Sequence, residues 1–169
     1  DTGISALATL AIVERTTDSP QVALRLEIDW FLEGGPYGAW KANDPIIQAL
    51  VGLSHGFGAA EGPPLIAQGH APQLVAGTVA FIAGLAALLG RERGRVLNTV
   101  DVSIFEAACC FSEPNSVSYA HFGHKGRRLG INRYAPTYPC SIYPAMDGWI
   151  GVTCLTPAQW SALAEMIGQ

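Results

Sequence analysis

Between Ala71 and Gly90 the chain carries no formal charge, and no other stretch restricts its possible folds as strongly. Small residues recur at Ala76, Ala80 and Gly84, and again at Ala83 and Ala87, a one-turn spacing that leaves room for another backbone to approach closely. This spacing predicts a helix buried on most of its faces. The cluster Arg91, Glu92, Arg93, Gly94, Arg95 ends it and sets cations beside the unpaired C-terminal carbonyls. Thr99, Val100, Asp101, Val102 and Ser103 then alternate as a strand does.

About twenty apolar residues also suffice to span a bilayer. Arg91, Arg93 and Arg95 would suit the cytoplasmic flank of such a span, and Ala76, Ala80, Gly84 is a small-residue face of the kind that pairs membrane helices. Pro72, Gln73, Thr78 and the high share of Ala and Gly weigh against insertion, because these residues contribute little to it. A helix buried in a soluble protein is the preferred reading, and a small membrane-associated protein the alternative.

The chain has 169 residues, enough for one domain with a sizeable core or for part of a larger one. It is 49% apolar and 14% charged, which suggests surface that is normally covered by a missing remainder or a partner. A net charge of −4 leaves no footprint for nucleic acid, and the basic group Lys125, Arg127, Arg128 reads as a solvated loop. Cys109, Cys110, Cys140 and Cys154 lack the spacing of a zinc site, and His121 and His124 have no ligand beside them, so no metal is expected. Free thiols fit a reducing cytoplasm. The chain starts without Met, has no basic segment ahead of the apolar run Ala6–Val13, and is expected to be a processed or excised piece.

Along the chain, residues 4–14 suggest a short helix of ambiguous register. Val22, Leu24, Leu26 and Ile28 alternate with Ala23, Arg25, Glu27 and Asp29, which predicts a strand with one buried face. Glu33 to Gly38 is turn chemistry. Asn43 or Asp44 caps a helix whose first turn holds Pro45 and whose stripe is Ile46, Ile47, Leu50, Val51. A loop with Pro63 and Pro64 leads to the long helix. Ile104–Ser112 is a further helix, 113–139 a long irregular stretch, and Ser141 to Val152 a hairpin turning at Asp147, Gly148. Thr156 and Pro157 open a last helix with Trp160, Leu163, Ala164 and Ile167 on its apolar side. Strands separated by long helical connections make this an α/β chain.

GPYGAWKANDPIIQALVGL, then EGPPL, then the small-residue helix ending in GLAALLGRERGR, then VDVSIFEAA, RLGINRYAPTYP and YPAMDGW, resembles the class III CoA-transferases, the CaiB/BaiF family. The likeness runs from about Val22 to Gln169. It implies part of a Rossmann-like large domain over 22–112, a linker over 113–139 and the beginning of a small domain over 140–169, with 1–21 unmatched. It also implies a cytoplasmic, interlocked homodimer, or a partner domain completing the site, and an activity that moves CoA between carboxylic acids. Acyl-CoA and a carboxylic acid would be the substrates, with no permanently bound cofactor.

By the same resemblance the acyl acceptor is an aspartate at the entrance to the long helix, four residues before a glycine. A carboxylate can attack a thioester to form an anhydride and then carry CoA as its own thioester. Counting back from Gly77, that position here is Gln73. An amide is a poor acyl acceptor, so residue 73 is not expected to do this step. The family's racemases exchange a proton through a histidine and the same aspartate; the histidine's position is Asn43, and neither Asn43 nor Gln73 titrates. Lys41, Asp44 and Gln48 fall where the family contacts CoA or acid, and Tyr37 lies on a loop that matches in part. Three readings follow: a CoA-transferase, a non-catalytic subunit or tandem half, and the membrane-associated protein.

Overall fold

A computed structural model describes residues 10–14, 22–130, 133 and 137–169, which divide between two compact units. Residues up to Ser54 together with Ile66–Gly126 make the first, and His55–Leu65 with Arg127–Gln169 the second.

The first unit is built on a parallel sheet of three strands, ordered β1 (Leu10–Glu14), β2 (Leu24–Asp29), β3 (Thr99–Ser103). Leu24 lies opposite Leu10, and Leu26 opposite Val100. The helix suggested for 4–14 is corrected: 10–14 is a strand, and 4–9 lie outside the described residues. A short apolar run containing Ile12 and Val13 suits either state by pattern, and pairing with the edge of β2 decides it. The polar side of β2 also differs from expectation. Glu27 is buried, with Arg25 Nε at 2.6 Å from its carboxylate, and the register of the central strand sets Val13 and Asp101 on either side of it.

Helix α1 (Asp44–Leu50) begins as its sequence dictates, with Asn43 Oδ1 accepting from Ile46 N at 3.1 Å and proline in the first turn. Helix α2 (Ala71–Glu92) lies against the sheet through Ala76, Ala80, Gly84 and Ala87. At Gly84 a methyl group would meet Leu26 Cδ2 at 3.5 Å. Leu26, Phe31, Ile47, Val51, Ala76, Ala80, Val102 and Ala108 form the core. Arg91 Nη1 donates to the carbonyls of Ala23 and Leu97, each at 2.7 Å, and ties the end of α2 to the strands.

The expectation that α2 is buried on most faces is corrected. Only 22% of its apolar stretch is buried, and Leu74, Phe81, Ile82, Leu85 and Leu89 are exposed. Strands β2 and β3, helix α1 and the segment Ile104–Ala108 cover one stripe of this helix, and the small residues occupy that stripe. By length and composition alone α2 is long and apolar enough to cross a membrane.

Ser103 Oγ accepts from Glu106 N at 3.2 Å and starts α3 (Ile104–Ala108), followed by a 3-10 turn over Cys109–Ser112. The stretch from 113 onward, expected to be irregular, opens with helix α4 (Glu113–Phe122), ended by Gly123 at φ 69°. Its apolar residues Val117, Tyr119 and Phe122 are all exposed, so it offers no stripe for a periodicity argument to find. Residues 131, 132 and 134–136 of that stretch lie outside the described residues.

In the second unit β4 (Cys140–Ala145) and β5 (Gly148–Thr153) pair antiparallel. The connection is Met146–Asp147, with Gly148 already in β5, one residue earlier than the expected Asp-Gly turn. Thr156 caps α5 (Pro157–Met166) in a reciprocal arrangement with Gln159. Trp160 and Ile167, expected on a packed face, are exposed. Arg128 Nη1 donates to Phe57 O at 3.1 Å and holds the two segments of this unit together.

Candidate functional site

The chain reverses at Gly69 (φ 91°) and His70 (φ 54°) before entering α2, and this delivers Gln73 to the first turn of that helix. A left-handed backbone costs glycine nothing but is uncommon for histidine. The exposed His70 ring makes no capping bond. Gln73 is oriented by its surroundings: with its amide nitrogen facing the acceptors, it donates to His70 O at 3.2 Å and to Asp44 Oδ1 at 2.6 Å. The reverse orientation would set oxygen against oxygen.

Asp44, half-buried at the start of α1, receives a second amide. Gln48 Nε2 donates to its Oδ2 at 2.5 Å. Gln48 is fully buried, and its amide also donates to Ala67 O at 2.9 Å and accepts from Ala67 N at 2.8 Å. Both of its N–H groups and its oxygen are thus engaged inside the chain, clipping the segment before α2 to α1. Next to this centre, where a side chain on Gly77 would point, there is open space.

Asp44, Gln48 and Gln73 therefore come together, and the other sequence-derived candidates do not join their hydrogen bonds. Asn43 is occupied as the cap of α1, and Lys41 is exposed. Tyr37 belongs to an aromatic cluster, its ring 4.9 Å from Trp40 and 5.6 Å from both Phe31 and Phe105. That cluster borders a small cavity of about 130 Å³ lined by Phe31, Leu32, Pro36, Tyr37, Ser103 and Phe105. The bond between Asp44 and Gln73 was not readable in the sequence. Nothing in the spacing from 44 to 73 brings the two together, and only the Gln48 clip on Ala67 shows how the intervening loop returns.

Elsewhere, the second unit has an open hollow of about 400 Å³ where Arg127 and Arg128 share space with His55 and Glu61. Among the described residues no three His, Cys, Asp or Glu side chains come together as a metal site. The four cysteines are free. Burial, then the charge of Glu106 and the neighbouring Cys110, raise the Cys109 thiol above its ordinary range.

The chain that carries this arrangement is similar to proteins of known family. An acetyl-CoA:oxalate CoA-transferase of Acetobacter aceti is 30% identical over 139 residues, which are 82% of this chain and 36% of that protein. A probable CoA-transferase of Mycobacterium tuberculosis is 28% identical over 148 residues, 85% of this chain and 18% of that protein. The chain thus spans about a third or less of these relatives. A solved CaiB/BaiF family protein from Brucella suis has the same fold, with a TM-score of 0.80 at 20% identity over 99% of this chain and 48% of its own. Residues 24–169 match the family profile described as CoA-transferase family III, and the chain belongs to that family.

Proposed function

We propose that this chain is the central part of a protein that takes an acyl-CoA and passes its CoA to a carboxylic acid, with the CoA thioester as substrate and no resident cofactor. The observation that carries this reading is the placement of Gln73, the position assigned to the acyl acceptor by resemblance. It lies in the first turn of α2, against Asp44 and beside the loop clipped by Gln48. Gln73 itself cannot accept an acyl group, so the covalent step belongs to a carboxylate elsewhere. Lys41 and Asn43 border the same turn in sequence and are candidates for contact with the CoA or the incoming acid, as is Tyr37 from its loop. Under this reading the protein is cytoplasmic and works as a homodimer or with a partner domain.

The test is exchange of CoA between acetyl-CoA and a panel of small acids, oxalate first, by the intact protein. It is read as formation of the new CoA thioester by mass spectrometry. Exchange supports the proposal. Failure to bind CoA or acetyl-CoA in equilibrium dialysis overturns it.

A second reading makes this chain the non-catalytic half of a tandem or two-subunit enzyme. In its favour, 148 matched residues are 18% of the Mycobacterium protein while 139 are 36% of the Acetobacter one, so the former is about twice as long. A second small-residue helix in the intact polypeptide, preceded by aspartate at the position of Gln73, would decide for the half.

A further inference from the structure

Both oxygens of Asp44 are held by amides that come from different helices. Gln48 cannot turn away from Oδ2, because its own oxygen and nitrogen are fixed by the backbone of Ala67. Gln73 reaches Oδ1 from the first turn of α2. One bond to each oxygen fixes the carboxylate plane and leaves each oxygen a further lone pair. Asp44 as a residue is half-buried. The residue that stands in the acceptor position is thus one hydrogen bond from a carboxylate of the same chain.

We propose that Asp44 is the acyl acceptor of this protein and that Gln48 and Gln73 are its positioning residues; this rests on the CoA-transferase reading above. Oδ2 of Asp44 attacks the thioester carbonyl carbon, leaving Oδ1 as the oxygen held by Gln73. A C–O bond forms, the C–S bond breaks, and the electron pair leaves on the CoA thiolate, giving a mixed anhydride. The thiolate attacks Cγ of Asp44, forming C–S and breaking the C–O bond to the bridging oxygen, which departs with the donor acid as its carboxylate. The acceptor acid's carboxylate then attacks Cγ of the Asp44 thioester and expels CoA thiolate. The thiolate takes the new acyl group and returns Asp44 as a carboxylate. No proton or redox equivalent is consumed overall. Gln73 acquires a role in this sequence that aspartate could not fill: its N–H faces the oxygen that becomes negative each time Cγ turns tetrahedral.

The intact protein is incubated with acetyl-CoA, quenched with hydroxylamine, digested and mapped by mass spectrometry, with acetyl-CoA binding measured in parallel by equilibrium dialysis. The expected result is a hydroxamate on residue 44 of the wild-type protein. It is lost in Asp44→Asn and retained at residue 44 in Gln73→Ala, at a rate lowered roughly tenfold or more by loss of one aimed donor. Acetyl-CoA bound but no hydroxamate formed, or a hydroxamate on another residue, overturns the assignment to Asp44 and leaves the CoA-transferase reading in place. Absence of binding removes both. Mapping the wild-type protein requires no variant, so a misfolded Asp44→Asn does not blunt the result.

Discussion

Gln48 and Ala67 exchange two hydrogen bonds, at 2.9 and 2.8 Å, across nineteen residues of chain. The pair reproduces with a side chain what two β-strands do with their backbones, and it closes the loop that carries the chain from α1 to α2. Gln48→Leu fills similar space but leaves the Ala67 N–H and C=O without these partners. We expect a loss of about 2–4 kcal/mol, the sum of two half-buried polar groups losing their bonds. Urea unfolding would show it as a lower midpoint with an unchanged slope.

Gln73→Glu keeps the shape of the side chain and sets a second carboxylate against Asp44, which now receives an amide at 2.6 Å. Two carboxylates so placed share a proton, and the folded-state pKa of the pair rises above the unfolded value near 4. The penalty is therefore absent below about pH 3, where both groups are protonated whether folded or not. It grows as pH rises and is complete near neutrality. Because the pair is half-exposed, about 1–2 kcal/mol is expected at pH 7. Adding Asp44→Asn should remove the pH dependence. Thermal melts at pH 3 and pH 7 for the wild type, each single variant and the double variant would measure both effects.

The stripe of α2 that meets the sheet makes opposite predictions at neighbouring turns. Gly84→Ala brings a methyl group to 3.5 Å from Leu26 Cδ2, an ordinary contact, and replaces glycine in mid-helix. A gain of about 0.5–1 kcal/mol is expected. Ala80 is 2% exposed, and Ala80→Leu forces three more carbons into a filled interface, with an expected loss of about 1–3 kcal/mol or more. A stabilised Ala80→Leu protein would mean that the helix does not seat on the sheet as described.

Cys109 and Cys110 are adjacent, and the first should react more slowly. Burial and Glu106 hold Cys109 as a thiol at pH values where an ordinary cysteine has begun to ionise. Alkylation by iodoacetamide, followed peptide by peptide, should rise at Cys109 only at higher pH. Glu106→Gln should shift that rise downward.

The sequence disclosed those parts of the fold whose cause is local. Asn43 with Pro45, Thr156 with Pro157, and the alternation of Thr99–Ser103 each carry their own physical signal, and each element appears where that signal puts it. The uncharged run from Ala71 located α2 to within two residues of its end, and the small-residue spacing marked Ala76, Ala80, Gly84 and Ala87 of its packed stripe. Features that depend on distant partners were not legible. Leu10–Glu14 is a strand because β2 lies beside it, and Glu27 is buried where the register of β2 sets Val13 and Asp101 on either side of it. Helix α4 lacks an apolar stripe. At the site, family likeness singled out residue 73, but its hydrogen bond to Asp44 depends on a loop closure that no local pattern encodes.

Gly69 and His70 both adopt the backbone hand that L-residues usually avoid, immediately ahead of α2. The direction in which α2 sets out is thereby decided by main-chain torsions and not by the group at residue 73. A lineage built on this corner is free to exchange the chemistry of that first helical turn, acid for amide or the reverse, while the barrel of the helix stays aimed at the same point in space.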